Sequence, residues 1–123
     1  MTITAEQIVA GRRRWVDVGR FRIQIQRPTV SEDPVIARMT SVERVIHFAL
    51  HCVVGWSGVT EADLLPGVGG SDEVPFDAAT YRAWVADEQD VILAVGQAVL
   101  NALVERRNAV ESAAGKSSGS PNP

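Results

Sequence analysis

A chain of 123 residues, 46% apolar and 22% charged, has room for one domain with a modest core and the composition of an ordinary globular protein. The net charge of −3 argues against a dedicated nucleic-acid binder, and no apolar run approaches the roughly 18 residues that a bilayer span needs. Met1 to Gln7 lacks the basic-then-apolar layout of a signal peptide, and the lone Cys52 cannot form an internal disulfide, so a soluble protein of a reducing cytoplasm is expected.

Thr4-Ala5-Glu6-Gln7 has the form of a capping box and predicts a short helix that Gly11 stops. Residues 13–27 then read as a two-stranded β-ribbon. Phe21, Ile23 and Ile25 alternate with Arg22, Gln24 and Gln26, the period of a strand with one wet face. Trp15, Val16 and Val18 supply the partner strand, and Gly19 falls where a tight hairpin turn belongs. Such a ribbon needs a helix or another chain over its apolar face.

Thr29-Val30-Ser31-Glu32 repeats the capping-box pattern, and Pro34 suits a first helical turn. A long central helix is expected over residues 31–54. Its apolar stripe is Val35, Met39, Val42, Ile46, Ala49 and Val53, widened by Ile36, Val45 and Leu50, with Thr40-Ser41 as the place where it would break. Gly55 suits its C-cap and opens a connection, 55–76, in which glycine alternates with large aromatics. There Trp56 and Val59 can fold back onto the core, Thr60 to Asp63 makes a turn or a single helical turn, and Pro66–Glu73 is expected to be the most mobile internal segment.

Helices over 77–86 and 88–108 follow. Asp77 is placed to cap the first, with Phe76 stapled onto Tyr81, and Tyr81, Trp84 and Val85 form its apolar face. The second has acidic residues from Asp87 to Asp90 at its start, a stripe of Ile92, Val95, Val99 and Leu103 flanked by Val91, Leu100 and Val104, and arginines 106 and 107 near its end. Residues 112–123 have the composition of a disordered tail. The expected architecture is thus a mainly α-helical α+β domain over 1–111: a two-stranded ribbon, a long central helix, the connection, two further helices and the tail.

No coherent catalytic constellation emerges, and no cofactor or metal site is expected. His47 and His51 have the spacing of two ligands on one helix face, but Phe48 stands where a zincin places glutamate and no third ligand is evident. Cys52 and His51 diverge by about 100° on a helix and cannot meet as nucleophile and base. Gly115-Lys116-Ser117 mimics the end of a phosphate-binding loop, but Val110 occupies the position of its leading glycine. Arg12, Arg13, Arg14, Arg20, Arg22 and Arg27 make the ribbon region basic, with Trp15 and Phe21 interleaved. That pattern leaves a small DNA-binding regulator as one reading, against a solvated strand face or a surface for an acidic protein.

The segment Val53-Val54-Gly55-Trp56-Ser57-Gly58-Val59, the acidic glycine-rich loop after it, and Val74-Pro75-Phe76-Asp77 leading into a short helix resemble small tail assembly chaperones of long-tailed bacteriophages and prophages. Members of that family carry a similar V-x-G/D-W-x-G-V … V-P-F segment. The run from Phe21 to Thr29 is also similar to the family's N-terminal half, so the resemblance spans residues 14–107. The chain departs from the pattern in its longer, more glycine-rich loop between Asp63 and Val74. The resemblance implies a non-enzymatic protein of the bacterial host's cytoplasm. It would bind the tape-measure protein, help recruit the major tail protein during tail-tube polymerisation, and be absent from the mature virion. Trp15, Val18, Phe21, Trp56, Phe76 and Trp84 are the candidate contacts to a partner or to a second copy in a homo-oligomer. The resemblance further implies a longer form made by a minus-one ribosomal frameshift. Ala114-Gly115-Lys116 can be encoded GCG-GGA-AAG, whose G-GGA-AAG run is slippery, which places the candidate site at Gly115 and Lys116. A structural head–tail or tail accessory protein is the alternative within the same setting.

Overall fold

The computed structural model describes residues 2–29 and 33–118. It begins as the caps direct. Helix α1 (Ala5–Ala10) starts at Thr4, whose Oγ1 accepts from the Gln7 N–H at 3.2 Å while the Gln7 side chain accepts from the Thr4 N–H at 2.9 Å. Strands β1 (Arg13–Val18) and β2 (Phe21–Gln26) pair antiparallel from Val18 opposite Phe21, and Gly19 takes φ 59°, which turns the hairpin without a steric penalty.

The ribbon is not two-stranded. Val53–Ser57 forms β3, antiparallel to β2, and the sheet order is β1-β2-β3. Residues expected to finish the central helix and open the connection are therefore a strand, and Gly55 lies within it instead of capping a helix. A β-branched and aromatic run satisfies the otherwise open hydrogen-bonding edge of β2. Register explains the sheet's two faces. Val16, Ile23 and Trp56 lie abreast on the covered face, whereas Trp15, Gln24 and Gly55 lie abreast on the outer one.

The expected long helix is two helices, α2 (Asp33–Ile36) and α3 (Ser41–His51). The break falls at Thr40, which starts α3 with its own capping box: its Oγ1 accepts from the Glu43 N–H at 3.1 Å, and Glu43 accepts from the Thr40 N–H at 2.9 Å. The box expected at Thr29–Glu32 falls on residues 30–32, outside the described residues. Restarting the helix also shifts its inward face. Phe48 joins Ala49 of the expected stripe in full burial, while Val42 and Ile46 of that stripe are 68% and 41% exposed.

Helix α4 (Glu61–Leu64) is the single turn expected after Thr60. The loop beyond it, expected to be the most mobile internal segment, folds back onto the start of α4. Gly70 O accepts from the Ala62 N–H at 2.9 Å, Asp72 O from the Glu61 N–H at 3.0 Å, and Val59 O from the Val74 N–H at 2.8 Å. Asp63 accepts from the Thr60 N–H and hydroxyl at 2.8 and 3.0 Å and pairs with Arg20, tying the connection to the hairpin. Asp77 caps α5 (Ala78–Val85) by accepting from the Thr80 N–H at 2.9 Å, and Phe76 meets Tyr81 with ring centroids 6.2 Å apart, the expected staple.

Helix α6 runs Gln89–Ser118, 30 residues or about 45 Å, past the expected end at 108. Ala109, Ala113 and Ala114 favour the helical state and carry it through residues 112–118 of the expected tail. Residues 119–123 of that tail lie outside the described residues. The first half of α6 buries Val91, Val95, Val99 and Ala102 and crosses α3 where Gly96 meets Val45. Beyond it, residues 104–114 are exposed. Among the described residues, no helix is long and apolar enough to cross a membrane.

Candidate protein-binding surface

All the aromatic residues proposed as contacts except Trp15 gather into one cluster under the sheet. Trp56 meets Phe76, Tyr81 and Trp84 with ring centroids 5.3, 6.3 and 5.9 Å apart, and Phe21 meets Trp84 edge-on at 5.2 Å. The Trp56 indole N–H donates to Val74 O, and the Tyr81 hydroxyl donates to Ala49 O, both at 2.6 Å. Burial pushes the Tyr81 hydroxyl pKa up, with a smaller contribution from Cys52. Val18, Trp56 and Trp84 are buried, and Phe21 and Phe76 are half-buried against them. These five residues hold the chain's own halves together and do not form an outer contact surface. Trp15 alone of the set presents its ring, 41% exposed on the outer sheet face beneath the Arg22 guanidinium, which lies 5.2 Å from the ring centroid.

The two histidines lie side by side on α3, ring centroids 4.8 Å apart, and among the described residues no group of three or more His, Cys, Asp or Glu is placed to hold a metal. Cys52 is buried at the end of α3. The His51 pKa is lowered from its ordinary 6.5, first by desolvation, then by His47 and Arg82. Protonating His51 is therefore harder in the folded than in the unfolded chain. Its contribution to stability is complete above pH 6.5 and declines as pH falls through that value to the lowered one. Melting curves from about pH 7.5 to about pH 5 should show Tm dropping, and His51→Gln should flatten the decline.

The basic ribbon resolves into two populations. Arg14 pairs with Glu105, Arg20 with Asp63, and Arg22 with Asp17 at 3.4 Å, while Arg13 donates to Gln26 at 3.0 Å. Arg12 and Arg27 instead line a groove between α1, the end of β2, α2, α3 and the distal half of α6. The groove holds about 840 Å³. Its walls carry Ile8, Leu100, Leu103, Val104 and Val110, and its rim adds Arg44, Arg106 and Arg107. The Arg44 Nε donates to Ile36 O at 3.2 Å, which turns that side chain toward α2. Ile8, Val104 and Val110 are 54%, 43% and 47% exposed, so the groove presents uncovered apolar side chains of a kind that marks contact sites.

The sequence points to the stripe of the last helix, with Leu100, Leu103 and Val104, as a surface for a partner or a second copy, but not to the groove around it. Ile8 lies in a short helix whose pattern assigns no face, and the helix dipole by itself accounts for Arg106 and Arg107. The legible signal was Leu103, Arg107 and Val110, which continue the α6 stripe at helical spacing past the expected end. No protein-family model, no curated protein and no solved structure matches the chain.

Proposed function

We propose that this chain is a tail assembly chaperone of a long-tailed bacteriophage or prophage: a non-enzymatic protein that binds the tape-measure protein in the host cytoplasm and promotes tail-tube polymerisation. The observation that carries the reading is the apolar groove along the distal half of α6, rimmed by arginines and open to a helical partner. The Val53–Val59 and Val74–Phe76 segments that carry the family resemblance supply β3 and the aromatic anchors beneath it, so they belong to the scaffold that presents the groove. Strand β1 is an edge of the sheet, which gives a self-association route through backbone pairing.

Co-expression with the tape-measure protein of the same genome tests the reading. The expected result is a soluble complex and a tape-measure protein that aggregates when produced alone. A tape-measure protein equally insoluble with and without this chain overturns it. Finding the chain in purified virions would instead assign a structural head–tail or tail accessory role. The frameshifted longer form requires a slippery heptamer at the codons for Gly115 and Lys116 and an open minus-one frame beyond it.

A further inference from the structure

We propose that the groove between α1 and the distal half of α6 receives an acidic amphipathic helix of another protein, whose apolar face seats on Ile8, Val104 and Val110 and whose carboxylates pair with Arg12, Arg27 and Arg106. The inference rests on the chaperone reading only in taking the occupant to be a separate protein; the chemistry of the occupant comes from the groove.

Charge decides the sign of the partner. In a chain of net charge −3, Arg12, Arg27, Arg44, Arg106 and Arg107 converge on a single groove, and among the described residues lining it Glu111 is the one acidic side chain. The guanidiniums repel one another: Arg27 has its pKa lowered by partial burial, then by Arg106 and by Arg12. A second hollow of about 270 Å³ shares Arg12, Arg27 and Arg106 and adds Arg13 and Arg14, so the positive flank extends onto the start of β1. Glu105, which also lines that hollow, is engaged by Arg14. Carboxylates laid along this flank would relieve the repulsion and gain charge-assisted hydrogen bonds.

Shape decides the secondary structure. Leu100, Leu103, Val104, Arg107 and Val110 recur at helical spacing and form a ridge with exposed apolar flanks. Some 840 Å³ admits several side chains of a helix laid along α6, not a whole helix of about 10–12 Å diameter. Single-stranded nucleic acid needs stacking platforms, and the exposed walls are aliphatic. A second copy seated α6 to α6 would bring Arg106 and Arg107 of both chains together, a like-charge arrangement that disfavours pairing.

Two fluorescent peptides of about 20 residues, long enough to hold a helix, test the proposal by anisotropy against the full chain. They share leucines at the i, i+3 and i+7 positions; one has glutamates flanking the leucines, the other lysines. The acidic peptide should bind at least roughly tenfold more tightly, and less so as salt rises. Arg27→Glu/Arg106→Glu should reverse the preference. If that variant does not fold by circular dichroism, Arg27→Gln/Arg106→Gln should still remove most of the discrimination. Equal binding of the two peptides overturns the proposal, as does an oligonucleotide that displaces the acidic peptide more effectively than unlabelled acidic peptide does. A dimer by light scattering that the charge reversal abolishes gives the groove to a second copy and also overturns it. The two readings fail separately. A bound acidic peptide with no tape-measure complex sinks the chaperone function and leaves the groove proposal standing. A tape-measure complex insensitive to the charge reversal does the opposite.

Discussion

Gly96→Val should lower unfolding free energy by roughly 3 kcal/mol or more, the upper range for forcing volume into a packed contact. A Cβ at Gly96 would lie 2.6 Å from Val45 Cγ1 and 3.0 Å from the Val45 carbonyl carbon, and nearer still to the carbonyl oxygen. The first two neighbours differ in what they permit. The Val45 side chain can change rotamer, but its carbonyl belongs to the α3 backbone, so the helices must move apart. That separation would loosen Val95 and Val99, both fully buried at the crossing. Gly96→Ala is the sharper test, because helix propensity alone favours alanine by about 1 kcal/mol at a helix-interior position. Close packing opposes that gain and should leave the variant destabilised by about 1–2 kcal/mol. Urea unfolding of wild type and both variants measures this directly. A stabilised Gly96→Ala would mean that α3 and α6 do not cross at this distance.

Trp56→Ala should cost about 3–5 kcal/mol, the range for truncating a buried aromatic. The indole is buried at the centre of the cluster, edge-on to Phe76 and Trp84, and its N–H satisfies the Val74 carbonyl. Trp56→Phe separates the two contributions. It keeps a ring against Phe76 and leaves Val74 O without its indole donor, so a loss of about 1–3 kcal/mol is expected. Because β3 carries Trp56 and the Val74 bond pins the far end of the connection, the alanine variant should also free Pro66–Glu73 to early proteolysis. Wild-type thermal stability in Trp56→Ala would contradict the core placement and return Trp56 to the outer contact role that its aromatic character first suggested.

The caps and the hairpin were legible because each is written within a few residues. Thr4 with Gln7, Asp77 with Thr80, and Gly19 between two alternating runs carry their geometry in local hydrogen bonds and backbone preferences. Thr40-Ser41-Val42-Glu43 was equally legible as a capping box, yet the apolar spacing across it was continuous enough to read as one helix. Periodicity reports which residues are apolar at helical spacing and does not register a change of phase. Hence the stripe places Val42 and Ile46 inward together with Ala49, whereas the structure buries Ala49 beside Phe48 and leaves Val42 and Ile46 exposed.

The groove was illegible for a different reason. Arg12 and Arg27 lie near one end of the chain and Arg106 and Arg107 near the other, so only folding makes them neighbours. Sequence proximity instead grouped Arg12 with Arg13, Arg14, Arg20 and Arg22, of which Arg14 and Arg20 are engaged by carboxylates that arrive from elsewhere and Arg22 by Asp17 across the hairpin.

By itself, the sequence determined the α+β class, the starts of α1 and α5, the β1–β2 hairpin and the aromatic residues that anchor the second half. These follow from interactions that reach no further than a turn, or from side-chain volume that has to be buried. The tertiary structure alone decided that Val53–Ser57 is a strand, that α3 and α6 meet through Gly96, and that Arg12, Arg27, Arg44, Arg106 and Arg107 line one apolar groove. Each of those outcomes depends on a partner distant in sequence: the open edge of β2, the Val45 carbonyl and the far end of α6. Local preference is nearly balanced at such places, and long-range contact settles them.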